Sequence, residues 1–342
     1  MKTRPIAAAL APVAALPLGL LLAACGTTDT GADAAEPKAN DSAECSADET
    51  KTSTGPVELT DSYGRTVELD KPAERVAVLE WQQTEDLLSL CVTPVAVADP
   101  DGYATWDTAE KLPEGVTDVG TRGEPNLETL FGTDPDLVIV EAYTPDDEIL
   151  KQLAKYDVPV LATKGADAKD PVANMLATFD LIAQATGREE RAEVVVDGFN
   201  AHLAEAKEKV ADAETTDFVY FDGWIQGGNV SIRPFGQGSL MGELGEELGL
   251  TNAWKGEVDE AYGLGQTDIE GMSELGDATF FYTGTTDPEG DVNAALAENA
   301  VWQKIPAVAE GRAHAFPSGV WTFGGPRTAE QVIDAYVDLL TK

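Results

Sequence analysis

An arginine in a glycine-flanked loop is the first residue of this chain placed to do chemistry. Arg122 stands in V-G-T-R-G-E-P-N-L-E-T-L-F-G-T-D-P-D-L-V-I-V, residues 119–140. Gly120 ends a strand, and Pro125-Asn126 starts a short helix with Glu128 in its first turn. Leu137 to Val140 reads as a buried parallel strand. Loops beyond the carboxyl ends of parallel strands are where open α/β sheets hold ligands. That puts Arg122 at the mouth of a site and Glu128 on a separate surface. The alternative is that Arg122 is a solvated loop charge.

Glu128 has a counterpart. It precedes Pro135 by seven residues, just before the strand 137–140, and Glu270 precedes Asp277 by seven, just before a strand at Thr279 to Tyr282. One carboxylate thus starts an equivalent short helix in each half of the chain. Compensation of the helix dipole would also favour an acid at both places.

Other chemistries lack their residues. A metal-ion receptor wants several histidines or clustered carboxylates. The two histidines, His202 in a helix and His314 in a strand, read as structural. No G-x-S-x-G occurs, and Gly238-Ser239 has no evident partner, so a hydrolase has no positioned nucleophile and base. With 61 acidic against 23 basic residues the net charge is −38, which repels nucleic acid and favours a soluble monomer.

The elements that must position these residues begin with a leader over 1–24. Lys2 and Arg4 precede an apolar stretch, Ile6 to Leu22, that Pro12, Pro17 and Gly19 break. It is too short and interrupted for a permanent span. The sequence L-A-A-C-G at 22–26 resembles the bacterial lipoprotein box, which implies lipidation of Cys25 and cleavage before it. The alternative is an ordinary secretory signal. Residues 25–54 are polar and acidic without apolar periodicity, and read as a flexible tether to a membrane anchor. Cys45 lies in it and Cys91 in the folded part. Export permits the two to pair, and spacing leaves the pairing open.

Residues 55–168 read as an α/β lobe. A hairpin at 57–69 is followed by strands at Arg75 to Leu79 and Thr93 to Ala98, with a helix opening at Thr84 between them. A loop over 99–117 holds Tyr103 and Trp106, and a helix at Pro145 to Lys155 precedes a strand near Val160. Residues 169–212 read as connecting helices. Asp170-Pro171 caps the first, and Arg188 to Ala211 forms a second, about 36 Å long at the α-helical rise, that serves as a rod. Residues 213–342 restart the alternation, with strands at 218–221, 279–282 and 313–316 and helices at 239–248, 269–275 and 327–340. The expected fold is α/β, two Rossmann-like lobes joined by a single long rigid helix.

This order of parts resembles the substrate-binding proteins of ABC importers that take up iron-siderophores and cobalamin, above all the ferric-hydroxamate (ferrichrome and ferrioxamine) binding proteins. The resemblance runs from about Val57 to the C-terminus. It is carried by R-V-A-V-L-E-W at 75–81, V-G-T-R-G-E-P-N-L-E at 119–128, L-T-N-A-W-K-G-E at 250–257 and V-W-T-F-G-G at 320–325. It implies a helical-backbone periplasmic-binding-protein fold and a lipid-anchored extracytoplasmic receptor. That receptor is no enzyme, needs no cofactor, and serves a permease and its ATPase.

By position, the resemblance makes Arg122 the arginine on the hydroxamate oxygens, and Tyr143 and Trp106 pocket aromatics. Tyr262 stands where the family often has tryptophan, and Trp321 and Phe323 are an aromatic pair in the last pocket loop. Glu128 and Glu270 match the carboxylates that dock onto permease arginines. The siderophore fills the iron's coordination sphere, so no residue ligates metal directly. Apart from the resemblance, Arg233, in S-I-R-P-F at 231–235, is a candidate second cation and Trp224 a candidate further wall, with the surface or core reading weighing more for both. A haem or cobalamin receptor of the same fold is the rival reading, and a hydrolytic cell-surface enzyme stands behind that.

Overall fold

The computed structural model describes residues 36–341 except 214–216, 228, 276–277 and 285–291. The leader and the lipidation expected at Cys25 lie outside the described residues.

The segment expected to be a flexible tether is held down from Glu36 onward. It carries a single helical turn, α1 (Ala43–Ser46), and Cys45 is disulfide-bonded to Cys91. Its acids meet arginines from far along the chain. Asp48 pairs with Arg188, and Glu44 pairs with Arg191 at 2.7 Å and with Arg327. Composition alone reads as a solvated linker; the buried guanidiniums and the disulfide make it a strap.

Beyond the hairpin β1 (Val57–Thr60) and β2 (Thr66–Leu69), the first lobe is built on a parallel sheet. Its elements run β3 (Val76–Val78), α2 (Trp81–Ser89), β4 (Ala96–Val97), α3 (Pro100–Trp106), β5 (Thr117–Asp118), α4 (Leu127–Gly132), β6 (Leu137–Glu141), α5 (Glu148–Leu153) and β7 (Val160–Thr163). The sheet order is β5-β4-β3-β6-β7, so the direction of winding reverses between β3 and β6. Ligands of open α/β sheets sit in the crevice that such a reversal opens at the carboxyl ends of the strands.

Two local readings change here. The α2 helix starts at Trp81 rather than Thr84, because the Glu80 side chain accepts from the Trp81 N–H and caps it. The loop expected over 99–117 holds α3. Asp99 accepts from Gly102 N and Pro100 takes the first turn, the same Asp-Pro start seen at Asp170-Pro171.

The helices α6 (Pro171–Thr186) and α7 (Glu189–Val210) follow, separated by Gly187 in the left-handed region at φ +68. At 22 residues α7 is about 33 Å long. Its Ala192 and Val195 pack in the first lobe's core, and its Phe199, Ala206 and Val210 in the second's. The α6 helix crosses in the opposite sense, with Met175 in the second core and Phe179 and Ile182 in the first. The long helix that joins the lobes is therefore braced along its length. Among the described residues no helix is long and apolar enough to cross a membrane.

The second lobe runs β8 (Asp217–Gln226), β9 (Asn229–Phe235), α8 (Leu240–Glu247), β10 (Thr251–Asn252), α9 (Ile269–Met272), β11 (Thr279–Gly284), α10 (Val292–Glu298), α11 (Pro306–Ala309), β12 (Ala313–Ser318) and α12 (Pro326–Leu340). Its sheet is β10-β8-β11-β12, parallel, with β9 laid antiparallel on β8. Pro234 in β9 hides the strand from sequence reading, since proline in a sheet is confined to edges, where β9 lies.

Candidate ligand site

Glu80 follows β3 and Glu141 ends β6, so the two strands that flank the sheet reversal each deliver a carboxylate to the crevice. The loop after β5 brings in Arg122. Its guanidinium donates to Glu80 Oε1 at 2.5 Å and lies 3.7 Å from the centre of the Trp81 ring, with Trp321 at 5.4 Å. Trp81 is buried, and its indole N–H donates to the Asp99 carbonyl. An arginine stacked on a fixed indole and tied at one nitrogen keeps its other N–H groups aimed in one direction.

From Trp81 a run of rings crosses between the lobes. Trp81 meets Trp321 edge-on at 4.8 Å, and Trp321 meets Phe323 at 5.4 Å. Phe323 meets Tyr262 at 5.5 Å, and Tyr262 meets Tyr143 at 6.3 Å. The Tyr262 hydroxyl of the second lobe donates to Glu141 Oε1 of the first at 2.6 Å. Gly165 makes this contact possible: a Cβ there would fall 2.3 Å from Glu141 Oε1 and 2.4 Å from the Tyr262 oxygen. Two hollows flank the bond. One of ≈ 750 Å³ is bounded by Glu80, Arg122, Glu141 and Tyr143, and one of ≈ 650 Å³ by Tyr143, Gly165 and Tyr262.

Burial sets the protonation of this crevice. It pushes the Glu141 carboxyl up to about 7, helped by the charge of Glu80 and opposed by the Tyr262 hydrogen bond and by Arg122. The Tyr262 phenol is also raised, by burial first and then by Glu141. Burial likewise raises Tyr143, although its side chain stands 74% exposed.

On the second lobe Arg233 donates to Asp222 Oδ1 at 2.8 Å and to Asp222 Oδ2. Its guanidinium lies 5.6 Å from the Phe235 ring and 5.7 Å from Phe323. The structure thus brings Arg122, Tyr143, Tyr262, Trp321, Phe323 and Arg233 to one crevice. Trp106 packs partly buried against the cluster of Trp81, Leu88 and Tyr103, the cluster that Trp321 also packs on. Trp224 stays apart. It lies on β8 across from Ser231, 40% exposed, and makes no ring contact with the set among the described residues.

Glu80, Trp81, Glu141 and Asp222 escaped the sequence reading. The first three end the runs R-V-A-V-L-E-W and L-V-I-V-E, at the strand ends that single out Arg122. Asp222 has no local signal; the β8–β9 register sets it opposite Arg233. Glu128 and Glu270 are both exposed, each two residues past a capping side chain. Asn126 accepts from Thr129 N, and Asp268 from Gly271 N.

A family model described as periplasmic binding protein matches residues 76–318. The Iron(3+)-hydroxamate-binding protein FhuD of Escherichia coli (strain K12) is 29% identical over 256 residues, 75% of this chain and 83% of that one. The putative ABC transporter substrate-binding lipoprotein YhfQ of Bacillus subtilis (strain 168) is 27% identical over 297 residues, 84% of this chain and 88% of that one. Among solved structures, the siderophore binding protein FhuD of Vibrio cholerae, bound to Fe3+-Desferal, aligns with a TM-score of 0.69 at 23% identity. That alignment covers 78% of this chain and 98% of that one.

Proposed function

Because the chain belongs to the periplasmic binding protein family, we propose that it is the extracytoplasmic receptor of an ABC importer that binds a ferric hydroxamate siderophore between its lobes. The carrying observation is Arg122, stacked on Trp81 and facing a crevice walled by Trp321, Phe323, Tyr262 and Tyr143. A ferric hydroxamate is a broad, mostly apolar shell around a polar centre. Rings supply rigid contact area for the shell, and one guanidinium serves adjacent oxygens of the centre. The hydroxamate-binding and Desferal-bound relatives support this ligand class. Haem held through a phenolate is disfavoured, since the Tyr262 hydroxyl keeps its proton in a hydrogen bond to Glu141 and both phenols are raised.

In this reading the iron keeps its siderophore ligands and no protein residue replaces them. Trp106 and Arg233 back the wall, and Trp224 stays outside it. The braced helices α6 and α7 limit lobe movement and hold Glu128 and Glu270 at a fixed separation for docking onto a permease. The chain works as a monomer anchored through lipidated Cys25, with its units at 25–54, 55–168, 169–212 and 213–342.

Tryptophan fluorescence of the mature protein tests the ligand class. Ferrioxamine, ferrichrome, a ferric catecholate, haemin and cobalamin are titrated into the wild type and Arg122→Ala. Saturable quenching by a hydroxamate, weakened in the variant, is the expected result. Saturation only by haemin or cobalamin overturns the assignment.

A further inference from the structure

The crevice around Arg122 has more negative than positive charge. Its ≈ 750 Å³ hollow is bounded by that one arginine, by the carboxylates of Glu80, Asp99, Glu124, Asp147 and Glu148, and by the carboxyl group of Glu141. Asp99 and Asp147 also cap α3 and α5, which orients them without removing their charge.

Neither pocket arginine is available as a counter-charge. Glu80 occupies one nitrogen of Arg122, and Asp222 grips Arg233 with both oxygens. Pulling either arginine away to neutralise an anionic ligand would strand a partly buried carboxylate, which is costly. What Arg122 still offers is hydrogen bonding, not net charge. The field at the mouth is set by the remaining acids.

Resting on the hydroxamate reading above, we infer that the site selects a ferric complex of net positive charge, a neutral trishydroxamate core that carries a protonated amine arm, and rejects anionic catecholate and citrate complexes. A neutral core needs donors from Arg122 and contact with the rings, and both are present. The amine arm then lies toward the rim, where Asp147 and Glu148 stand beside the exposed face of Tyr143. Carboxylates and an aromatic face both attract an ammonium group.

The test compares ferrioxamine B, whose amine is charged, with its N-acetylated form, which has the same iron core and no charge. Ferric enterobactin serves as the anionic probe. At low ionic strength the charged form is expected to bind fivefold or more tightly than the acetylated one, a difference of about 1 kcal/mol. The ratio shrinks toward one in about 1 M salt, where charges are screened beyond a few ångströms. It also falls in Glu148→Gln, which removes an exposed charge from the same hollow and leaves the Glu141–Tyr262 bond in place. Ferric enterobactin does not saturate.

Equal affinity for the two ferrioxamine forms, or comparable binding of ferric enterobactin, overturns the charge selection and leaves the hydroxamate reading standing. Failure of both ferrioxamine forms to bind overturns this inference, and failure of ferrichrome as well overturns the hydroxamate reading itself.

Discussion

Glu85 of the first lobe caps Thr328 of the second. Its buried carboxylate accepts from Thr328 N at 2.9 Å and Thr328 Oγ1 at 2.8 Å, and from Gly325 N at 2.8 Å. The amino end of α12 is thereby satisfied by a side chain from α2, across the lobe boundary. Removing the carboxylate orphans two buried N–H groups at once. Glu85→Ala is expected to cost roughly 2–4 kcal/mol of unfolding free energy, and Thr328→Ala about 1, since only the hydroxyl bond is lost. Urea unfolding of the two variants measures this. Equal, small losses would show that the cap does not tie the lobes together.

Acidity should stabilise this protein. Asp86 and Asp107 lie buried beside Glu85, and burial plus that neighbour's charge raises both. Glu110 and Glu141 are pushed from 4.5 up to about 7, chiefly by burial. Glu141 faces the Glu80 carboxyl, which follows β3, the Arg122 guanidinium, and the phenols of Tyr262, Tyr143 and Tyr63. A folded state whose acids hold protons that the unfolded chain releases binds more protons between about 4.5 and 7, so stability falls as pH rises through that window. The net charge of −38 works in the same direction. A thermal midpoint higher at pH 8 than at pH 5.5 would contradict the assignment of these protons.

How far the sequence reaches is clear from where these contacts lie. Arg122 is legible because it stands in a glycine-flanked loop at a strand end, and α6 because Asp-Pro starts it and apolar residues repeat at helical spacing. Glu128 and Glu270 are legible as a repeated local pattern. Glu80, Trp81 and Glu141 stand just past the strands read at 75–79 and 137–140, within reach of the same strand-end rule. The pairs Asp222–Arg233, Glu85–Thr328 and Glu141–Tyr262 leave no local trace, because β-strand register and lobe packing make them. The strap was misread for the same reason: Asp48 finds its partner Arg188 on the far side of the first lobe's sequence.

Reduction should release that strap. Cys45 and Cys91 are 46 residues apart, and cross-linking a loop of that size stabilises by about 4 kcal/mol in the chain-entropy view. Cys45→Ser with Cys91→Ser is expected to lower the urea midpoint and to open residues 36–54 to proteolysis. Ligand affinity stays within about twofold, because the strap packs on α2, α7 and α12 rather than in the crevice. A strap that remains protected without the disulfide would mean that the ion pairs of Asp48 and Glu44 hold it alone.

Gly165 offers the most selective probe of the crevice. Gly165→Ala removes no ring and no charge, but its methyl falls within 2.3 Å of Glu141 Oε1 and 2.4 Å of the Tyr262 oxygen. One of those groups must move, and the bond between the lobes breaks. Tyr262→Phe breaks the same bond from the other side while keeping the ring against Phe323. Each change is expected to weaken ferric-hydroxamate binding about tenfold, about 1.4 kcal/mol, and the double variant to be no worse than either single one. Such non-additivity identifies a shared interaction. Full additivity in a fluorescence titration would mean that Gly165 and Tyr262 act separately and that the Glu141–Tyr262 bond does not shape the closed site.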